Sequence, residues 1–153
     1  MAACKKIRRK EKDVNNGIVS KNRSINSYYG KNPSWRFLNC DKEAWSFSKE
    51  HIGDNIWDEL LPYFQSLENQ TWGDILIKDK KKNHSLQINT LNKDVQKRLE
   101  TLYIEAESLI SLRISGTHRL YGYITEAVFN ILWYDDKHGD NKDCVCRSVI
   151  KHT

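Results

Sequence analysis

Three histidines and two arginines are the side chains of this sequence best suited to chemistry on a phosphate ester. His84, His118 and His138 are candidates for proton transfer, because imidazole is the side chain that ordinarily titrates near neutral pH. Arg113 and Arg119 flank a Gly-Thr turn, and guanidinium groups bind phosphate through paired hydrogen bonds. If a hairpin brings the two arginines to one face, we expect a phosphate-binding site there.

Two tyrosines extend this candidate site. Tyr121 and Tyr123 alternate along the same strand as Arg119 and share its face. Aromatic rings beside guanidinium groups are typical of proteins that stack the bases of single-stranded RNA. The alternative interpretation is the ordinary polar face of a half-exposed sheet, which many α+β proteins have.

The last strand adds a further tryptophan and two carboxylates to the candidate region. Trp133 ends the strand, Asp135 and Asp136 follow it, and either carboxylate is placed to orient His138 or to raise its pKa. A metal-dependent nuclease that uses the two aspartates is an alternative, although no further carboxylate cluster accompanies them. A zinc site from Cys144, Cys146, His138 and His152 is disfavoured, because zinc sites usually have C-x-x-C rather than C-x-C spacing.

A C-terminal meander of three strands must position these side chains. Apolar and polar residues alternate in SLISLRIS and HRLYGYI, AVFNILWY follows, and short turns join the three segments. Such strands form an antiparallel sheet. A short strand around Trp35 and Phe37 and an extended segment at residues 84–88 precede the meander.

Helices are predicted before the meander from apolar side chains at helical spacing. One covers residues 56–67 and is kinked or divided by Pro62, one follows a cap formed by Thr71 and Asp74, and one covers residues 91–102. We therefore predict an α+β fold in which an antiparallel sheet packs against two to four helices on one of its faces.

Positive charge is concentrated at the start of the 153-residue chain. Residues 1–36 contain ten Lys and Arg and two carboxylates, a net +8, whereas the remainder carries −3 of the formal total of +5. We predict a flexible basic arm at residues 1–32 and a single α+β domain at residues 33–153. The arm is either a solubilising tail or a contact for nucleic acid. Its candidate binding residues are Lys5, Lys6, Arg8, Arg9 and Lys10.

P-loop nucleotide hydrolases and serine hydrolases are excluded as classes for this protein. The sequence has no P-loop, no H-E-x-x-H and no G-x-S-x-G motif. Its start turns basic at once, so we expect no secretory signal, and no segment approaches the ~18 apolar residues of a membrane span. These observations predict a cytoplasmic protein with reduced thiols and no membrane partner.

The segment RISGTHRLYGYITEAVFNILWYDDKHGD resembles small bacterial proteins of mobile elements that carry an L-R-x-S-G-x-x-R-x-x-G and V-F-x-x-L-W-x-D-x-x-H signature. PSWRF, TWGDI and HSL resemble other parts of the same pattern, so that the resemblance covers residues 33–139. The ending is similar to that of the RelE/ParE-type toxin superfamily, which implies a RelE-like fold. The pattern often has Pro where this chain has Asp136.

This resemblance implies a toxin-like protein that binds and cleaves messenger RNA, associates with the ribosome and is neutralised by an antitoxin protein. The matching residues are Arg113, Arg119, Trp133, Asp135 and His138, with His84 from the HSL element. In this hypothesis the arginines bind phosphate and His84 or His138 transfers protons, without a metal or other cofactor. The alternative is a non-catalytic nucleic-acid- or protein-binding module from a phage or mobile element.

Overall fold

The computed structural model describes residues 28–139 and 144–145 of the chain. The strands are β1 (Ser34–Arg36), β2 (His84–Gln87), β3 (Ser108–Ser115), β4 (His118–Thr125) and β5 (Val128–Asp135). The α-helices are α1 (Lys49–Ile52), α2 (Leu61–Leu67) and α3 (Lys93–Thr101). Shorter turns of π-helix lie at Ile56–Leu60 and Asp74–Lys78, and a 3₁₀ turn lies at Ile88–Thr90. The predicted α+β class is confirmed.

The C-terminal meander is present as predicted and lies inside a five-stranded sheet of order β1-β5-β4-β3-β2. The pairs β2–β3, β3–β4 and β4–β5 are antiparallel. Strand β1 pairs in parallel with β5, so the sheet is mixed and the prediction of an antiparallel sheet is wrong in this respect. Side chains alternate with the same period in both strand directions, so the sequence pattern does not reveal the direction of β1.

A β-bulge in β5 changes which face its last side chains occupy. Tyr121 pairs with Trp133, but the next residue of β4, Gly122, pairs with Ile131, so Leu132 is an extra residue. Leu132 and Trp133 therefore belong to one buried cluster, whereas the residues on either side of them belong to the cluster on the opposite face. Without the bulge, strict alternation would place Trp133 on the face that Tyr134 occupies and Tyr134 on the face that Trp133 occupies.

The first face of the sheet packs against residues 49–78. The predicted helix at residues 56–67 is a π-helical turn continued by α2, with Pro62 in the first turn of α2, where a missing N–H is tolerated. The predicted cap is also present, since the N–H groups of Thr71 and Asp74 donate to each other's side chains at 3.1 Å. The buried residues of this helical layer are Ile52, Leu60, Phe64, Leu67, Trp72 and Ile75.

The second face of the sheet is covered by α3. Val95 and Leu99 of α3 lie in one cluster with Leu109, Tyr121 and Leu132 of the sheet. Helices therefore cover both faces, and the prediction that they cover one face is wrong. The alternating Arg and Tyr residues of β4 suggested a half-exposed polar face, but the apolar side of α3 lies over part of it.

The domain begins before the predicted boundary at residue 33. The N–H groups of Trp72 and Gly73 donate to the carbonyl oxygens of Lys31 and Tyr29, both at 2.9 Å. The side-chain amide of Asn32 donates to two carbonyl oxygens just beyond α2. Residues 28–32 thus belong to the domain, and residues 1–27 lie outside the described residues.

The carboxylate of Asp41 joins three parts of the chain and is 0% exposed. Arg98 of α3 donates to both of its oxygens at 2.7 Å. The indole N–H of Trp133 donates at 2.9 Å, and the backbone N–H groups of Glu43 and Ala44 donate at 2.9 and 3.2 Å. Burial raises the pKa of this carboxyl, but the hydrogen bonds outweigh burial and hold its pKa at about 2 instead of 3.8.

We predict that ionised Asp41 contributes acid-sensitive stability. The unfolded chain takes up a proton near the ordinary pKa, while the folded protein does so only near pH 2. The stabilisation is therefore complete above the unfolded-state pKa and is lost as the pH falls through the folded-state pKa. Urea unfolding should show that Asp41 accounts for a loss of about 2 kcal/mol between about pH 5 and about pH 2.

The matched variant is Asp41→Asn, which has no proton to take up at this position. Its acid-dependent loss should be smaller than that of the wild type by about 2 kcal/mol, whatever its stability at neutral pH. Equal acid-dependent losses in the two proteins would contradict the role of the Asp41 carboxylate.

Candidate functional site

His138 lies close enough to Arg119, Arg113 and His84, three other predicted site residues, for their charges to act on its imidazole. Burial lowers the pKa of its imidazole, and the charges of Arg119, Arg113 and His84 lower it further, in that order. The interpretation that a neighbouring carboxylate raises this pKa is therefore wrong. We call His84, Arg113, Arg119 and His138 the cationic cluster.

Strand register explains why these four residues lie at the same end of the sheet. Arg113 of β3 pairs with Arg119 of β4, and His84 of β2 pairs with the residue two positions before Arg113. His138 follows β5, and its backbone N–H donates to the carbonyl oxygen of Thr117 in the β3–β4 turn at 3.0 Å. The cluster therefore lies at the turn end of the hairpin.

The two arginines differ in exposure and therefore in what they can bind. Arg119 is 9% exposed, and its Nη1 donates to the carbonyl oxygens of Gly116 and His118 at 2.7 and 3.1 Å. It braces the turn. Arg113 is exposed and lines a cleft of about 250 Å³ together with Lys82 and Asp79. Arg113 is thus the arginine of the cluster that is well placed for a phosphate in solution.

A second group of polar side chains, centred on Glu59, lies beside the same turn. The Nδ1 atom of His118 lies 2.7 and 2.8 Å from the two carboxylate oxygens. The hydroxyl groups of Ser115 and Tyr134 donate to the carboxylate at 2.6 and 2.9 Å. Because Nδ1 is engaged, Nε2 is the nitrogen of His118 that remains for proton transfer. We call these four residues the Glu59 group.

Electrostatics keep the Glu59 carboxylate ionised and the Tyr134 hydroxyl protonated. Burial raises the pKa of Glu59, but the hydrogen bonds from Ser115, His118 and Tyr134 outweigh it, so that this pKa is lowered. Burial and the hydrogen bond to Glu59 raise the pKa of Tyr134. An ionised carboxylate at Nδ1 orients the imidazole of His118, as the aspartate does in hydrolase triads.

Two bulges bring the members of the Glu59 group to one face of the sheet. Ile114 is an extra residue of β3, and beyond it Ser115 pairs directly with His118. Paired residues of an antiparallel ladder lie on the same face. The bulge at Leu132 likewise turns Tyr134 toward the helical layer that carries Glu59.

Sequence reasoning identified His118 and missed its three partners. The apolar stripe of the helix around Glu59 predicts which side is buried, but not that this carboxylate meets a histidine 59 residues later. Ser115 and Tyr134 reach the site through the bulges, and no residue pattern in this sequence marks a bulge.

Four predicted site residues do not join either group. Tyr121 and Trp133 are 0% exposed, so the prediction that Tyr121 stacks a base is wrong because its ring is core. Tyr123 is half-buried, and its hydroxyl accepts a hydrogen bond from Asn39 at 2.8 Å farther along β4. The buried carboxylate of Asp135 accepts hydrogen bonds from the backbone beyond β5.

Some predictions concern residues that the structure does not describe. Cys146 and His152 of the zinc alternative lie there. The five candidate binding residues of the basic arm also lie there, namely Lys5, Lys6, Arg8, Arg9 and Lys10.

Residues 28–139 and 144–145 contain neither a cluster of metal ligands nor a helix suited to a membrane. In these residues no group of three or more His, Cys, Asp or Glu side chains is arranged to hold a metal ion. The two aspartates of the metal-nuclease alternative differ in surroundings, since Asp135 contacts backbone N–H groups and Asp136 lies 3.9 Å from His51. No helix in this part of the chain is long and apolar enough to cross a membrane.

Comparison with known proteins finds no match. No protein-family model, no curated protein and no solved structure matches this chain. The RelE-like fold and the toxin signature therefore stay predictions.

We predict that the Arg113→Gln variant raises the pKa of His138, because a nearby cation disfavours the imidazolium form. Arg113 is exposed, so the fold should be unaffected. An NMR pH titration of the histidine Cε1 protons measures the change. The control is Lys78→Gln, which removes an exposed cation paired with Asp74 and should leave the pKa unchanged. Unchanged titration of His138 in Arg113→Gln would contradict the arrangement of the cationic cluster.

Proposed function

We propose that this protein binds single-stranded RNA and cleaves it, as the RNA-cleaving toxin of a toxin–antitoxin or mobile-element system. The observation that carries the proposal is the grouping of two arginines and two histidines at the turn end of the hairpin. A phosphodiester is anionic, and its cleavage needs proton transfer at two oxygens, so this combination of side chains suits it. Residues 33–139 resemble small proteins of mobile elements, and the ending of that pattern is similar to that of RelE/ParE-type toxins, which supports the same function.

The proposed reaction uses the RNA's own 2′-hydroxyl as the nucleophile. A neutral imidazole accepts the hydroxyl proton while the 2′-oxygen bonds to phosphorus. The bond between phosphorus and the 5′-oxygen breaks, and a protonated side chain donates a proton to that oxygen. The products are a 2′,3′-cyclic phosphate and a 5′-hydroxyl. Arg113 would neutralise the charge on the phosphate during this step.

The surroundings of each histidine suggest its role. The lowered pKa of His138 keeps its imidazole neutral at pH 7, which suits a general base. His118 is a second candidate, since Glu59 orients it with Nε2 remaining for proton transfer. His84 is exposed on β2 and remains a candidate for the general acid.

A protein-binding module is the second candidate function, and an exposed apolar surface favours it. Trp57 is 67% exposed and lines a groove of about 380 Å³ together with Phe47. Phe37 is 50% exposed, and its ring centroid lies 5.8 Å from that of Phe47. Exposed aromatic surface of this kind is typical of protein interfaces. If the first proposal holds, the partner would be the antitoxin.

The cleavage proposal is tested with purified protein and a single-stranded RNA, both free and bound to translating ribosomes. We predict fragments that end in a 2′,3′-cyclic phosphate. Losing a general base or acid typically costs about 100-fold or more in rate, which we expect for His138→Gln or His118→Gln. Arg113→Gln should cost about tenfold or more, because it removes charge stabilisation.

Lys78→Gln is the control, since it removes one positive charge from an exposed side chain paired with Asp74. It should cleave at the wild-type rate. Absence of fragments from both free RNA and ribosome-bound RNA would contradict the proposed RNA cleavage. RNA binding without cleavage would favour the non-catalytic module.

A further inference from the structure

A cleft of about 520 Å³ opens at the end of the sheet opposite the cationic cluster, where β3 begins and β4 ends. Its walls include the apolar side chains of Ile110 and Ile124. Three exposed glutamates surround it, and the described residues that line it include neither Lys nor Arg. These glutamates are Glu105, Glu107 and Glu126.

Backbone geometry holds the turn that carries Glu126, one of the three glutamates around the cleft. Glu126 and Ala127 form the β4–β5 turn, and both have left-handed φ angles, 51° and 73°. The carbonyl oxygen of Ala127 accepts the indole N–H of the buried Trp72 at 2.8 Å. The turn that presents Glu126 is therefore anchored to the core, and its carboxylate stays at the mouth of the cleft.

The chain itself enters the domain at this cleft. Tyr28 is the first described residue and lines the cleft. The 27 residues before it contain eight Lys and Arg and two carboxylates, a net +6. Their last part, residues 18–25 with the sequence IVSKNRSI, places Lys21 and Arg23 between apolar residues. Its charge and apolar content complement the glutamates and the apolar walls.

We propose that residues 18–25 occupy this cleft in the free protein, with Lys21 and Arg23 against Glu105 and Glu126. Lys21 precedes Tyr28 by seven residues, which span up to roughly 25 Å when extended, and Tyr28 itself lines the cleft, so the tether is long enough for docking there. Exposed ion pairs are individually weak. Because the segment is tethered, its effective concentration is on the order of millimolar, so docking needs about 4 kcal/mol of intrinsic affinity. Two exposed ion pairs supply part of this, and burial of the segment's apolar residues against Ile110 and Ile124 supplies the rest.

Docking of this segment would make the basic arm a switch. Lys21 and Arg23 cannot pair with the glutamates and with a polyanion at the same time, so a polyanion competes with the cleft for these two residues of the arm. This inference goes beyond the proposed RNA cleavage and does not depend on it, because docking occurs within one chain.

Limited digestion of the full-length protein with trypsin tests the proposal. Cleavage after Lys21 and Arg23 reports on the proposed docked segment, and cleavage among residues 5–12 is the internal reference. In the Glu105→Gln, Glu126→Gln double variant, cleavage after Lys21 and Arg23 should become about fivefold faster relative to the reference. High salt should have the same effect on the wild type.

The matched control is the Glu50→Gln, Glu100→Gln double variant, which removes two exposed carboxylates outside the cleft and should digest like the wild type. Equal relative rates in the wild type and the cleft variant would overturn the proposal. Carbodiimide coupling gives an independent readout. It should link Lys21 to Glu105 or Glu126, and links from Lys21 solely to carboxylates outside the cleft would also overturn it.

Discussion

The buried carboxylate of Asp41 is the interaction on which most of the structure depends. It accepts hydrogen bonds from Arg98 of α3 and from Trp133 of β5, so that one ionised group holds the helix of the second face to the last strand. The loop that contains Asp41 lies beside the bulged end of β5, where the Asp41 N–H donates to the Leu132 carbonyl oxygen at 2.9 Å. A buried charge is tolerated when hydrogen bonds compensate it, and removing one partner is costly. The bulge beside this loop turns Tyr134 toward Glu59. The contacts of Asp41 therefore hold in place the same end of β5 that positions Tyr134 in the Glu59 group.

Charge is separated along the β3–β4 hairpin. The cationic cluster lies at the turn end and the glutamate-lined cleft at the open end, about 25 Å apart for strands of this length. A polyanion would be attracted to one end and repelled by the other, which would orient it on the domain. Arg119 braces the turn while Arg113 is presented to solvent, so the two arginines divide structural and binding roles. In the proposed function, this division places the phosphate beside Arg113.

The sequence was sufficient for the meander, the cap at Thr71 and the helix that the structure has as α3, because local periodicity and turn chemistry determine them. It also named His84, Arg113, Arg119 and His138 as candidates, but it did not show that they lie near one another, because that depends on the register of β2, β3 and β4. It did not reveal the direction of β1, the burial of Tyr121 or the Glu59 group. The direction of β1 depends on long-range pairing with β5, and the burial of Tyr121 depends on α3. The Glu59 group depends on two bulges. These features arise from tertiary contacts that local patterns do not encode.

The central claim is that the cationic cluster binds the phosphate backbone of RNA, and the salt dependence of binding tests it most directly. The logarithm of the binding constant for single-stranded RNA should fall linearly with the logarithm of salt concentration, with a slope of about 0.7 per neutralised phosphate. The Arg113→Gln variant should lower the magnitude of this slope by about 0.7, and the Lys78→Gln control should not change it. An identical slope for the wild type and Arg113→Gln would contradict the claim.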